Sequence, residues 1–276
     1  MYNLSKEIDI NWPAYMPVDD DLDLISLRKE YASLVTMCDY YLGKVLDIMD
    51  KYDMWKDTIL IVNTDHGFLL GEHNYLGKNF WPMHQEVIHT PFYIHVPNCN
   101  IGRRKALCQT IDIAPTLLDY FNLPIPENME GKSLLPIVKD DKNIHDYILF
   151  GVHGGHVNIT DGQYVYMKSS KDETNEPYVE CTLMPTNMRS FFKGDDLKNA
   201  EFVEGDKFSN YIPYLKVKTK TFMKPYIFGD LLFDIKNGEQ LIEDKNIENK
   251  MKEEMVKIMK YIEVPKEEFE RLGLTQ

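Results

Sequence analysis

Cysteine is scarce and poorly placed for cross-linking. Cys38, Cys99, Cys108 and Cys181 are the four in 276 residues, widely spaced and without a CxxC pair. That pattern argues against a disulfide framework and favours a reducing compartment, so a cytoplasmic protein is expected. No apolar run approaches the length of a membrane span. Met1 leads into polar Asn3, Ser5, Lys6 and Glu7, with no signal-peptide core. Positive charge is in deficit: 31 Lys and Arg stand against 44 Asp and Glu, a formal charge of −13 with a pI near 5.1. The deficit excludes nucleic acid or an anionic membrane as a general partner, because phosphate binding needs clustered Lys and Arg. An anionic substrate must then be held by a local positive site and not by global steering.

What the chain does have is 43% hydrophobic and 12% aromatic residues, the make-up of a globular protein of one or two domains. Its organising stretch runs from Thr58 to Pro97. Thr58 to Thr64 (TILIVNT) is apolar without polar alternation, which predicts a strand buried on both faces, as in a parallel sheet flanked by helices. Asp65, His66 and Gly67 follow at its carboxyl end, where ligands and catalytic groups collect in open α/β sheets. A carboxylate beside an imidazole on a Gly turn can ligate a divalent metal. The same three residues can equally well end a strand and start a turn.

The wider pattern resembles the second half of the sulfatases, in the alkaline-phosphatase-like superfamily. The matching pieces are Thr64-Asp65-His66-Gly67, Leu70-Gly71-Glu72-His73, Gly77-Lys78, Glu86 and Pro91-Phe92-Tyr93-Ile94. Further on come Asp112 to Phe121, containing Pro115-Thr116, then Met129 to Pro136, and Leu232-Phe233-Asp234-Ile235 with Gly238-Glu239. The resemblance implies an α/β fold. Residues 1–140 would be the C-terminal half of the catalytic domain, and 141–276 a small antiparallel-sheet subdomain with a C-terminal helix. It implies a sulfuric ester hydrolase with Asp65 and His66 as metal ligands and Lys78 as a catalytic residue against the sulfate. His84 would be a general acid. Calcium is the metal expected of a sulfatase, manganese or zinc that of the related phosphodiester and phosphonate monoester hydrolases. His89-Thr90-Pro91 stands where the family usually has Arg, so Glu86 and His89 are read as architectural.

One family element is not found. Sulfatases carry C/S-x-P/A-S-R, whose first residue becomes formylglycine. The nearest string, Cys99-Asn100-Ile101-Gly102-Arg103, lacks the Pro or Ala and the Ser and follows the Asp-His-Gly turn. The expected partners are therefore a missing N-terminal half, a sulfated small molecule or glycan, and a second copy of the chain. The isolated chain is expected to be inactive. A non-catalytic remnant or binding subunit is the alternative.

Periodicity fills in the remainder. Leu27, Tyr31, Leu34, Val35, Cys38, Leu42, Val45, Leu46 and Met49 mark one apolar helical stripe, and Ile247 to Ile262 another. Tyr2 to Asp23 reads as an acidic surface loop, Asp161-Gly162 as a hairpin turn, and the charged tail from Val264 as solvated. In Gly151-Val152-His153-Gly154-Gly155-His156, the two histidines are either substrate-binding or hydrogen-bonded within a Gly-rich bend.

Overall fold

Asp23 opens the first helix. Its carboxylate accepts from Ser26 N at 3.0 Å and from Ser26 Oγ at 2.6 Å, an N-cap that satisfies otherwise orphaned donors. The computed structural model describes residues 15–17, 23–78, 82–186, 190–206 and 209–275. The acidic loop expected before Asp23 lies outside them, apart from a short strand at Tyr15–Pro17. Two compact units are present, Met1–Gly102 and Arg103–Gln276.

The first unit contains β1 (Tyr15–Pro17), α1 (Leu24–Lys51), β2 (Leu60–Asn63), β3 (Leu69–Leu70), β4 (Tyr75–Gly77), α2 (Gln85–Ile88) and β5 (Phe92–His95). Near its start α1 is fastened to the segment after the Asp-His-Gly turn. Arg28 Nε donates to Leu70 O at 2.8 Å and Arg28 Nη2 to Glu72 at 3.2 Å, while Tyr31 stacks on Phe68. Strand β2 is where composition misled. It pairs with β5 in antiparallel register, Leu60 opposite His95 and Asn63 opposite Phe92, and it is only half-buried. The parallel sheet expected from TILIVNT is therefore not formed among the described residues. An apolar run reports dry faces and says nothing about which way a neighbouring strand runs. In β5, Tyr93 is exposed. The order β1-β4-β3 makes a small antiparallel sheet.

The stripe on α1 is present but mostly in water. Met49 alone of that helix is buried, whereas Leu34, Val35 and Ile48 are 57%, 52% and 52% exposed. Residues three and four apart share a helix face, so Tyr31, Leu34, Val35 and Cys38 form a continuous apolar strip. Such strips mark surfaces meant to be covered. The purified chain is expected to self-associate and to bind a hydrophobic dye, and Leu34→Glu with Ile48→Lys to abolish both. A monomer by sedimentation with no dye binding would remove this reading.

The second unit contains α3 (Ile113–Tyr120), α4 (Leu135–Asp140), β6 (Ile148–Gly151), β7 (Val157–Thr160), β8 (Tyr164–Lys168), β9 (Val179–Thr182), α5 (Gly194–Leu197), β10 (Glu201–Val203), β11 (Tyr214–Lys218), β12 (Leu231–Asp234), β13 (Gln240–Leu241), α6 (Lys245–Tyr261) and α7 (Lys266–Leu272). The order β13-β12-β8-β7-β6 is antiparallel throughout, and β10-β11-β9 forms a second sheet. The Asp161-Gly162 hairpin joins β7 to β8 as expected. Gly162 sits at φ +89°, and Asp161 Oδ1 accepts from Gln163 N at 2.9 Å and Tyr164 N at 2.8 Å.

Helix α6 lays Met251, Met255 and Met259 into a core with Ile159, Tyr166 and Leu232. Each buried methionine contributes on the order of 1.5–3 kcal/mol. The tail is not solvated as expected. Helix α7 adds Phe269 and Leu272 to that core, and Arg271 is 1% exposed. The compact units also divide earlier than the change of texture near 140. Arg104 Nη2 donates to Val138 O at 2.7 Å and its Nε to Ile137 O at 3.0 Å, tying the start of the second unit to α4. Asp112, wholly buried, joins the two family-like packing segments. It accepts from Gln109 N at 2.9 Å, from Lys132 N at 2.8 Å and from His145 Nε2 at 3.0 Å.

Candidate active site

The Asp-His-Gly turn leaves β2 at Asn63 and is pinned by glycine. Gly67 N donates to Val87 O at 2.8 Å, and a Cβ on Gly67 would lie 1.8 Å from Glu86 O. Only glycine lets α2 come this close. Asp65 is exposed, with its side chain at 79%. Its Oδ1 accepts from His66 N at 2.9 Å, and that bond holds the carboxyl below the usual carboxylate range.

His66 has a defined tautomer. Its Nδ1 lies 2.9 Å from Gly67 O, a carbonyl that only accepts, so Nδ1 carries the proton. Its Nε2 lies 2.7 Å from Lys78 Nζ, an ammonium that only donates, so Nε2 presents a lone pair. Asp65 Oδ2 is 3.1 Å from the same Nε2. Two acceptor atoms this close need a cation beside them. Lys78 supplies one here, and the same carboxylate and imidazole would suit a divalent metal. Asp65, His66 and Lys78, expected from sequence to share a site, are thus brought together.

His84 sits elsewhere in this neighbourhood. It is buried, caps α2, and stacks on His73 with ring centroids 3.5 Å apart and planes 5° from parallel. His73 Nε2 is 3.3 Å from Glu86 Oε2, the kind of architectural contact expected of Glu86. His89 is exposed.

The two histidines of the Gly-rich bend belong to the second unit and part company. His153 is exposed, donates from Nε2 to Val179 O at 2.9 Å and packs on Tyr178. His156 is 2% exposed and donates from Nε2 to Gly229 O at 2.9 Å, while its Nδ1 is buried without a hydrogen-bond partner. Protein closes over this ring. Burial pushes its pKa down to about 4 from the usual 6.5. The unfolded chain therefore binds a proton that the folded chain refuses between those two values. Stability is unaffected by this group above about pH 6.5 and falls progressively down to about pH 4, by up to about 3 kcal/mol. Urea unfolding at pH 7.5 and 4.5 should show this loss in the wild-type chain and a smaller one in His156→Gln. Equal losses in both would refute the assignment.

Sequence reading missed two buried clusters of the second unit. Lys168 Nζ and the Tyr166 hydroxyl donate to Asp230, at 2.9 and 2.8 Å, and Arg271 fastens the Gly-rich bend. Their partners are about 60 and more than 100 residues apart in the chain, beyond the reach of local pattern.

Comparison with known proteins bears on this site. The family model described as N-sulphoglucosamine sulphohydrolase, C-terminal, matches residues 71–174. Human arylsulfatase K is 30% identical over 145 residues, which cover 49% of this chain and 27% of that protein. The multifunctional alkaline phosphatase superfamily protein of Trinickia caryophylli is 32% identical over 126 residues, covering 45% of this chain and 24% of that one. Among solved structures, the phosphonate monoester hydrolase of Silicibacter pomeroyi superposes with a TM-score of 0.57 at 17% identity. That match covers 87% of this chain and 42% of that one, a likeness of fold. The chain thus spans well under half the length of the curated relatives it matches. The mixed helix-and-sheet fold of this chain, with its small antiparallel sheets and C-terminal helix, is like that of the solved neighbour from Silicibacter pomeroyi. Over residues 71–174 the chain is thus similar to the C-terminal portion of the sulfatases, and its matching relatives include arylsulfatases.

Proposed function

We propose that these residues serve a sulfuric ester hydrolase, with Asp65, His66 and Lys78 as one edge of its active site. The observation that carries this reading is the convergence of Asp65 Oδ2 and Lys78 Nζ on His66 Nε2. Sulfatases generally bind a divalent metal. Asp65 Oδ2 and His66 Nε2 would hold it, and the ion would supply Lewis-acid polarisation of the sulfuryl oxygens. Lys78 adds a fixed ammonium at the same edge, where it binds sulfate and stabilises the negative charge that develops during cleavage. Two donors fall short of the roughly six or more that calcium takes, so other ligands must complete the shell. The formylglycine nucleophile would come from a C/S-x-P/A-S-R segment, which the 276 residues do not contain. A sulfated sugar is the proposed substrate class, in keeping with the name of the matching family model.

A second reading, hydrolysis of phosphodiesters or phosphonate monoesters, is favoured by two observations. Imidazole is a better donor to manganese or zinc than to calcium, and one relative is described as a multifunctional alkaline phosphatase superfamily protein. A third reading, a non-catalytic binding subunit, is favoured by the exposed strip on α1. The experiment is metal analysis with Asp65→Asn and His66→Ala controls, alongside turnover of an aryl sulfate and an aryl phosphodiester by a catalytically competent preparation. Bound calcium lost in both variants, with faster sulfate turnover, is the expected result. Zinc or manganese with faster phosphodiester turnover supports the second reading. Robust sulfatase activity of the purified 276-residue chain would refute the external nucleophile.

A further inference from the structure

The second unit holds a cavity of about 330 Å³ to which the sulfatase reading assigns no role. One wall is built on a buried pair. His145 is 9% exposed, and its Nε2 lies 3.0 and 3.1 Å from the two oxygens of Asp112, which is fully buried. A carboxylate only accepts when ionised, so Nε2 carries the proton and Nδ1 is the ring nitrogen left to the cavity. The other side chains of the lining are Lys105, Asn143, Asp146, Asp161 and Gln163, with Leu107 the single large apolar one and Gly162 adding backbone.

The hydrogen bonds already made show what remains for a ligand. Asp161 spends Oδ1 on the turn that joins β7 to β8, which leaves Oδ2. Gln163 donates from Nε2 to the Tyr164 hydroxyl at 3.0 Å, which leaves its carbonyl oxygen. The lining therefore offers donors from the Lys105 ammonium and the Asn143 amide, and acceptors from Asp146, Asp161, Gln163 and His145. Two carboxylates face one ammonium, so a sulfate or phosphate meets net negative charge. With Leu107 alone as an apolar wall, an aromatic or aliphatic ligand gains little by entering. A ligand whose groups each donate and accept, without net charge, matches this lining, and the volume is of the ordinary size for a small-molecule site.

We propose that this cavity binds a neutral sugar residue through its hydroxyl groups. No residue of the Asp65 site takes part, so the proposal stands or falls apart from the sulfatase reading. The test is an NMR titration of the full 276-residue chain with methyl glucoside, methyl galactoside and N-acetylglucosamine, each compared with sodium sulfate. At least one sugar should shift the His145 ring signals and the Asn143 and Gln163 side-chain amides saturably, with a Kd in the millimolar range. Asp146→Asn and Gln163→Ala should each weaken it about tenfold, the loss of a hydrogen bond or two, with the remaining spectrum unchanged. Asp146 is exposed and Gln163 part-buried, and neither belongs to the buried Asp112–His145 pair, which keeps the test clear of folding. No saturable shift with any of the three sugars would overturn the proposal. So would shifts that persist undiminished in both variants, or sulfate displacing the sugar from the same residues.

Discussion

Arg271→Ala is expected to destabilise the second unit by about 3–5 kcal/mol, the cost of breaking a buried ion pair by removing one partner. Arg271 is 1% exposed, and its guanidinium is shared among three segments. Nε and Nη2 take the two oxygens of Glu268 at 2.8 and 2.5 Å, Nη1 reaches Asn175 Oδ1 at 2.7 Å, and Nη2 reaches Gly155 O at 3.0 Å. Alanine would leave the part-buried Glu268 carboxylate, a buried amide oxygen and a backbone carbonyl without their donors, and each such orphan costs free energy of its own. Lysine keeps the charge but not the planar fork, so Arg271→Lys should recover only part of the loss. In a double-mutant cycle, Arg271→Ala combined with Glu268→Ala should cost less than the sum of the single changes, because the second change removes the stranded carboxylate. Urea unfolding followed by circular dichroism measures all three. A loss below about 1 kcal/mol for Arg271→Ala would show the cluster to be solvated in practice.

This clamp also shows where sequence stops being informative. The methionine stripe of α6 was legible because seventeen residues give several turns of period. Helix α7 has seven, five of them charged, and its two apolar side chains could not outweigh that composition. Its character comes from tertiary burial, which overrides a weak local pattern. The same limit explains β2. TILIVNT announced a dry strand, yet its partner β5 lies about 30 residues on, and only the return of the chain decides that they run antiparallel. The turn chemistry read more faithfully. Asp161-Gly162 is a local signal carried by residues with particular backbone needs, and it formed where expected. At the site, resemblance supplied Asp65, His66 and Lys78 as a set, which spacing alone had left open. What it did not supply was the tautomer of His66, which depends on the Gly67 carbonyl, or the stacking of His84 on His73. Helix α1 adds a case of its own: periodicity found the apolar stripe correctly, but a stripe does not say whether its cover is present.

Lys78→Ala, in a preparation that turns over an aryl sulfate, is expected to lower kcat/KM by about 10²–10³-fold, the usual consequence of removing a preorganised donor from developing charge. The argument rests on placement. Lys78 Nζ lies 2.7 Å from His66 Nε2, so the ammonium stands beside the atoms that would hold the metal and at the edge where the sulfate would bind. A preorganised cation costs no reorganisation during the reaction, and it acts where water is displaced by the sulfate group. The effect should fall on kcat as well as on KM, because charge on the sulfuryl and leaving oxygens is greater in the transition state than in the bound ester. Metal content separates this role from ligation. Asp65→Asn and His66→Ala should lose metal together with activity, whereas Lys78→Ala should keep or even tighten metal binding, since a competing positive charge has left Nε2. If Lys78→Ala lost its metal, or changed KM alone, Lys78 would be a structural partner of His66 and the stabilisation of developing charge would have to come from another group.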